Sequence, residues 1–162
     1  MHALMDELRN GLMVDWAQLV RIAVRLLLSA GLGAVVGLQR EQTGKPAGLR
    51  THMLVALGAT LFVLAPLEMD VSMSDIGRVI QGVATGIGFI GGGAILKLSA
   101  EREVRGLTSA AGIWITAAAG VAVGLGRLAI AAVSILLTWI ILAIIGRAER
   151  RIERNRDGER KA

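Results

Sequence analysis

The chain has 162 residues, no cysteine and a formal net charge of +5, and 54% of its residues are hydrophobic. This composition, with 21 glycines, excludes an ordinary soluble domain, and the lack of cysteine excludes disulfides and thiolate chemistry. The basic residues cluster at the ends of apolar runs and in the C-terminal tail, which indicates membrane orientation rather than a nucleic-acid partner.

The first predicted element is a short amphipathic helix in residues 1–18, which we expect to lie on the bilayer surface with Trp16 at the headgroups. The first membrane span follows, from about Leu19 to Leu38. Within it, Gly33 and Gly37 form a seam of small residues against which a neighbouring helix can pack.

Arg25 lies inside this first span, where a charge is costly unless it has a partner. Three acidic residues follow the second apolar run. The sequence therefore predicts that Arg25 pairs with Glu68, Asp70 or Asp75.

Four more apolar runs follow, and they approach the length of about 20 residues that a helix needs to cross a bilayer. These predicted spans run from about Thr51 to Pro66, from Ile76 to Leu96, from the residue after Gly106 to about Gly124, and from Leu128 to Ile145. The sequence thus predicts an all-α polytopic membrane protein with five transmembrane helices.

Glycines crowd the third span at helical spacing, which lets helix backbones touch in lipid. With the pair in the first span, the predicted packing residues are Gly33, Gly37, Gly82, Gly86, Gly88, Gly92 and Gly93. A distorted helix lining a site is the alternative interpretation, because the last glycines of the third span are consecutive.

Lys and Arg collect in the first loop, the third loop and the tail, and such residues accumulate on the cytoplasmic side of a membrane. We therefore expect the N-terminus outside and the C-terminus in the cytoplasm. The predicted organisation is an interfacial segment (1–18), a transmembrane domain (19–146) and a basic cytoplasmic tail (147–162).

The five predicted spans contain no Asp or Glu. Magnesium demands oxygen ligands, and proton relays need titratable groups. The sequence therefore predicts no metal site, no cofactor and no catalytic residue, and we expect a protein that is not an enzyme.

Two predicted helix starts on the basic side carry arginine next to hydroxyl residues. Thr51 and Thr108 are the predicted helix caps, with Arg50 and Arg105 before them and Ser109 after the second. Helix N-termini and arginine both suit an anion, so these residues predict a site for a lipid phosphate or a partner's carboxylate. The alternative is that they are ordinary caps and orienting charges.

Three stretches carry a family resemblance: GLRTHMLVALGATLF, GRVIQGVATGIGFIGGGAILK and EVRGLTSAAGIW. They closely resemble the membrane domain of the MgtC/SapB family of bacterial inner-membrane proteins. Within these motifs, Gln39 stands where the family often has Glu, and Thr108 where some members have Asn. Members known for virulence usually add a cytoplasmic, ACT-like domain, which we do not expect here because the sequence stops at Ala162.

The resemblance implies a multi-pass protein of the bacterial inner membrane that helps adaptation to low magnesium and, in pathogens, survival inside macrophages. It also implies modulation of the F-type ATP synthase or of the membrane potential. We expect a small regulator whose partners are membrane lipids, another membrane complex and a second copy of itself, with a dimer favoured. The alternatives are a transporter or channel for ions or small solutes, and a lipid-binding scaffold.

Overall fold

A computed structural model describes residues 15–98 and 103–146. In this part of the chain five α-helices follow one another, with a short hairpin between the third and the fourth. The elements are α1 (Trp16–Gln42), α2 (Leu49–Leu67), α3 (Met73–Gly93), β1 (Leu96–Leu98), β2 (Glu103–Arg105), α4 (Leu107–Gly124) and α5 (Leu128–Ile140), which continues as a π-helix (Ile141–Ile145). The predicted helical fold class is confirmed.

Three of these helices, α1, α2 and α4, are long and apolar enough to cross a membrane, and α5 is a shorter apolar helix. The first helix begins at Trp16, so the end of the predicted interfacial segment is the first turn of α1. Residues 1–14 of that segment and the tail 147–162 lie outside the described residues. The membrane orientation stays a prediction.

The third predicted span ends earlier than expected. Helix α3 stops at Gly93, and Leu96 begins a strand that pairs antiparallel with β2, Leu96 opposite Arg105. Consecutive glycines weaken a helix end, which lets the chain leave the helix before the charged loop. Gly106 then has φ 99°, and a Cβ there would collide with the carbonyl oxygen of Ala94.

Two arginines of α1 show how the helices run relative to one another. Arg40, near the end of α1, contacts Ser109 in the first turn of α4, whereas Arg25 reaches Gly124 at the end of α4. Helix α1 is therefore antiparallel to α4. The short connections make α2 antiparallel to α1, and α4 contacts every other helix.

We call the end of the bundle that holds Arg40 and the first turns of α2 and α4 the basic end. The opposite end, which holds the loop from Glu68 to Ser72, is the acidic end. At the acidic end Ser72 caps α3, and Asp75 forms an ion pair with Arg78 at 2.9 Å.

Glycines bring α1 and α2 into close contact. A Cβ on Gly33 would lie 2.5 Å from the carbonyl oxygen of His52, and one on Gly37 would lie 2.7 Å from the Cα of Leu49. Side chains at these positions would force the backbones apart, which is how small residues serve helix packing in lipid.

Helices α2 and α4 meet in the same way. A Cβ on Gly120 would collide with the carbonyl oxygen of Ala56, and one on Gly124 would lie 2.9 Å from the Cβ of Val63. Three helices, α1, α2 and α4, therefore form the tightly packed part of the bundle.

A buried hydroxyl group ties these three helices together at mid-height. Thr60 of α2 lies with its Oγ1 2.6 Å from the Ser29 hydroxyl of α1 and 2.8 Å from the Gly120 carbonyl oxygen of α4. All three residues are buried, so the hydrogen bonds are shielded from competing water.

The glycines of α3 behave differently. A Cβ on any of the predicted packing residues of this helix would meet no atom of the chain within 4 Å; they are Gly82, Gly86, Gly88, Gly92 and Gly93. Phe89 on the same helix is 87% exposed. Helix α3 packs on α4 and, less, on α2, and it leaves this glycine-lined face uncovered by the described chain.

Candidate functional site

The predicted hydroxyl caps are wrong. The N-cap of α2 is Gly48 and that of α4 is Gly106, and neither cap makes a side-chain hydrogen bond. Thr51 and Thr108 lie one or two residues inside their helices, because both helices begin directly after the glycine that ends the loop.

A carboxylate, rather than a hydroxyl, bonds the first turn of α2. Glu41 accepts a hydrogen bond from the backbone N–H of Leu49 at 2.8 Å, which satisfies one of the free donors of the first turn. The negative charge also complements the positive end of the helix dipole. No described side chain plays this part at the cap of α4.

The predicted anion-binding residues do not form one cluster in the described structure. Arg50 is exposed, Thr51 is half-buried and Thr108 is exposed. The backbone of Arg105 lies in β2, but its side chain is outside the described part of the structure. A joint site of Arg50 and Arg105 stays a prediction.

Ser109 differs from its neighbours because it is fully buried. Its hydroxyl accepts a hydrogen bond from Nη2 of Arg40, which is itself only 4% exposed. The Nε of Arg40 is buried and has no hydrogen-bond partner among the described residues. The structure thus brings a buried guanidinium to the first turn of α4.

His52 completes this group of buried polar side chains. It is 0% exposed, and its Nδ1 is 3.1 Å from the carbonyl oxygen of Gly48. Its Nε2 is buried without a partner in the described chain, on the side of Gly112 in α4. Gly112 follows Ser109 by three residues, so His52 lies against the face of α4 that carries Ser109.

Arg40 is not among the residues predicted for a site, although the sequence contains a signal for it. Arg40 follows Gly33 and Gly37 at spacings of seven and three residues, so all three share one face of α1. The face of α1 that carries the small residues therefore also carries the buried arginine.

Arg25, at the acidic end, has a different environment from the predicted one. Its Nη1 donates to the carbonyl oxygen of Gly124 at 3.4 Å, and no described carboxylate forms an ion pair with it. Glu68, a predicted partner, instead accepts a hydrogen bond from Gln18. The prediction of an acidic partner is wrong, because the end of α4 supplies carbonyl oxygens and the negative end of a helix dipole.

A cavity of about 360 Å³ lies beside Gln39, between α1 and α5, and Trp139 and Thr43 also line it. Gln39 donates through Nε2 to the carbonyl oxygen of Leu142 at 3.1 Å, inside the π-helical turn, while its Oε1 is buried without a described partner. No group of three or more His, Asp or Glu that could hold a metal ion occurs among residues 15–98 and 103–146.

Three threonines of the spans make only local bonds. Thr85, Thr116 and Thr138 each donate to the carbonyl oxygen four residues earlier in their own helix, at 2.7 to 2.9 Å. Such bonds satisfy a hydroxyl within its own helix and indicate no ligand.

Comparison with known proteins gives a consistent result. The sequence pattern of the MgtC family matches residues 26–151. The chain is 41% identical to the protein SrpB of Synechococcus elongatus over 147 residues, which are 84% of this chain and 79% of SrpB. No solved structure matches the chain.

Two further relatives are longer proteins. The putative magnesium transporter YhiD of Escherichia coli K12 is 37% identical over 128 residues, which are 75% of this chain and 59% of YhiD. The protein MgtC of Salmonella typhimurium is 41% identical over 121 residues, 74% of this chain and 51% of that protein. The chain therefore matches little more than half the length of these two relatives.

Proposed function

The chain belongs to the MgtC family, and we propose that it is a small regulator in the bacterial inner membrane rather than a carrier of magnesium itself. It would support adaptation to low magnesium and other stress by acting on another membrane complex, such as the F-type ATP synthase. Its role would not be catalytic, and its basic end would face the cytoplasm.

The observation that carries this proposal is the charge of the buried polar group at the basic end. Arg40 is buried between α1 and α4, and no described carboxylate pairs with it. A magnesium ion needs oxygen ligands and would be repelled by this guanidinium. The arrangement therefore favours regulation over magnesium passage between these helices.

The open face of α3 supports a protein partner. A strip that includes Gly82, Gly86 and Gly93 leaves room for a second backbone, and small residues at this spacing are typical of helix contacts in lipid. A partner complex or a second copy of the chain would pack here.

The alternative is a transporter or channel, as the name of YhiD suggests for that protein. The cavity beside Gln39 is the feature of this chain that favours it, since it combines an unpartnered amide oxygen with apolar walls. The alternative would require the solute to pass beside α5 rather than through the packed centre.

Magnesium flux and cell growth, measured on the same protein, test the proposal. We expect the purified chain in liposomes that enclose a magnesium dye to give no flux above empty liposomes. The same chain should restore growth at low magnesium to a bacterium that lacks its own relative. Flux that depends on the chain would contradict the regulator and favour the transporter.

A further inference from the structure

We propose that Arg40 and Ser109, with His52 beside them, form a buried receptor for one phosphate group at the basic end of the bundle. The inference goes beyond the regulator function and does not depend on it. It also differs from the anion site predicted from sequence, which rested on the exposed Arg50.

The three side chains of the proposed receptor are deeply buried. Arg40 is 4% exposed, and His52 and Ser109 are 0% exposed. Removing a charge from water costs several kcal/mol unless other groups compensate for it. A guanidinium held this deep is therefore expected to have a counter-charge in its working state.

The described chain supplies no such counter-charge to Arg40. The ion pair between Arg78 and Asp75 is the only one among the side chains that the structure describes, and it lies at the acidic end. Arg40 makes one side-chain hydrogen bond, to Ser109, and keeps its Nε without a partner. A neutral hydroxyl satisfies one donor but does not balance the charge.

Arg40 also lies at the first turn of α4. The N-terminus of a helix carries partial positive charge and free N–H groups. Glu41 compensates the start of α2, whereas no described side chain bonds the cap of α4 at Gly106. The positive N-terminus of α4 and the guanidinium of Arg40 thus lie close together, which favours the binding of an anion there.

The chemistry of the donors points to phosphate. Arginine binds planar or tetrahedral oxyanions through several N–H groups, and charge-assisted bonds of this kind are the strong ones. Because the Ser109 oxygen accepts from Arg40, the Ser109 hydroxyl proton can still be donated. Nε of Arg40 and the hydroxyl of Ser109 can therefore each still donate a hydrogen bond to an oxyanion.

His52 distinguishes two sources of phosphate. With Nδ1–H directed at the Gly48 carbonyl, Nε2 of the neutral imidazole is an acceptor. Free inorganic phosphate carries an O–H that can donate to it, whereas the phosphodiester of a lipid headgroup does not. A contact from the phosphodiester group itself would require the protonated imidazole.

The test uses the full chain in neutral detergent with two probes, phosphatidylglycerol and inorganic phosphate. Retained lipid is counted by native mass spectrometry, and phosphate binding is followed by the shift in thermal unfolding, since a ligand of the folded state raises its stability. Arg40→Gln should weaken binding of the true probe about ten-fold or more, the loss expected for a hydrogen-bonded charge. Arg50→Gln, an exposed arginine at the same end, is the matched control.

Loss of phosphatidylglycerol in Arg40→Gln alone would identify a lipid phosphate, and loss of the phosphate shift alone would identify free phosphate. Should Arg40→Gln fail to assemble, the same titrations are run on Arg40→Lys, which keeps the charge but loses Nε and the fork, and a loss of similar size is expected. The proposal is overturned if neither probe binds the wild-type chain, if Arg50→Gln loses as much as the Arg40 variant, or if binding is unchanged in the variant that assembles.

Discussion

Arg25 and Arg40 lie on the same helix and meet opposite ends of α4, and their surroundings differ. Arg25 meets the end where carbonyl oxygens point outward, and it donates to Gly124. Arg40 meets the start of α4, where N–H groups point outward, and its Nε has no described partner.

The helix dipole explains why this difference matters. A cation is stabilised at the C-terminal end of a helix and destabilised at the N-terminal end. Among the described side chains, the charge of Arg25 at the acidic end is therefore compensated, whereas that of Arg40 is not, and in this sense the basic end is incomplete. The proposed phosphate receptor would account for this difference between the two ends.

The largest expected effect comes from breaking the contact that holds Arg40 in place. Gly37→Leu puts a bulky side chain where a Cβ would already lie 2.7 Å from the Cα of Leu49. We expect it to cost about 1–3 kcal/mol in the free energy of unfolding, because the two backbones must separate. Thermal or urea unfolding in detergent measures this.

Gly31→Leu is the matched control on the same helix, since a Cβ there meets no atom within 4 Å. It should change the unfolding free energy by less than about 0.5 kcal/mol. Equal losses in the two variants would mean that the seam of α1 does not hold the basic end together.

A smaller loss is expected at mid-height, between the two ends. Thr60→Val removes the hydroxyl that lies 2.6 Å from Ser29 and 2.8 Å from the Gly120 carbonyl oxygen, and leaves both buried groups with one partner fewer. The expected cost in unfolding free energy is about 1–2 kcal/mol. Thr85→Val, whose hydroxyl bonds only within its own helix on an exposed face, should cost far less.

A substitution on the glycine-lined face of α3 should reduce assembly rather than the unfolding free energy of the isolated chain. Gly86→Leu adds a side chain in open space, so we expect a change below about 0.5 kcal/mol in the unfolding of the isolated chain. Cross-linking in membranes should show a smaller dimer fraction, or less of a partner complex, because helix backbones could no longer touch there. An early unfolding transition with normal assembly would contradict this account.

Labelling of single cysteines would show which arginine faces the cytoplasm. Lys45→Cys lies in the exposed loop at the basic end, and Met69→Cys lies in the exposed loop at the acidic end. With a membrane-impermeant reagent, whole cells should label the Met69→Cys protein and leave the Lys45→Cys protein unlabelled until the cells are broken. The reverse pattern would invert the proposed orientation.

The helices could be predicted from the sequence because each apolar run is long and bounded by glycine or charge. Even the start of α4, directly after Gly106, follows from the break in the apolar pattern. The hairpin of β1 and β2 could not be predicted in this way, since its strands are three residues long and depend on pairing with each other.

The site was harder to predict, because a sequence shows spacing but not which face is covered. The same small-residue pattern occurs in α1, where Gly33 contacts α2, and in α3, where Gly86 meets open space. Arg50 and Arg40 likewise look equivalent as loop charges, and only the packing of α1 on α4 separates the exposed one from the buried one. Which helices are neighbours is decided by tertiary contacts that no local pattern contains.

Unfolding of Arg25→Gln and Arg40→Gln, measured side by side in neutral detergent without phosphate or anionic lipid, tests the central claim most directly. Arg25→Gln should lose about 0.3–1 kcal/mol, the value of a cation at a helix C-terminus. Arg40→Gln should lose nothing or gain stability, because it removes a buried charge that has no counter-charge within the described chain. If Arg40→Gln instead lost as much as Arg25→Gln under these conditions, the charge of Arg40 would already be balanced within the chain, and the account of an incomplete basic end would be wrong.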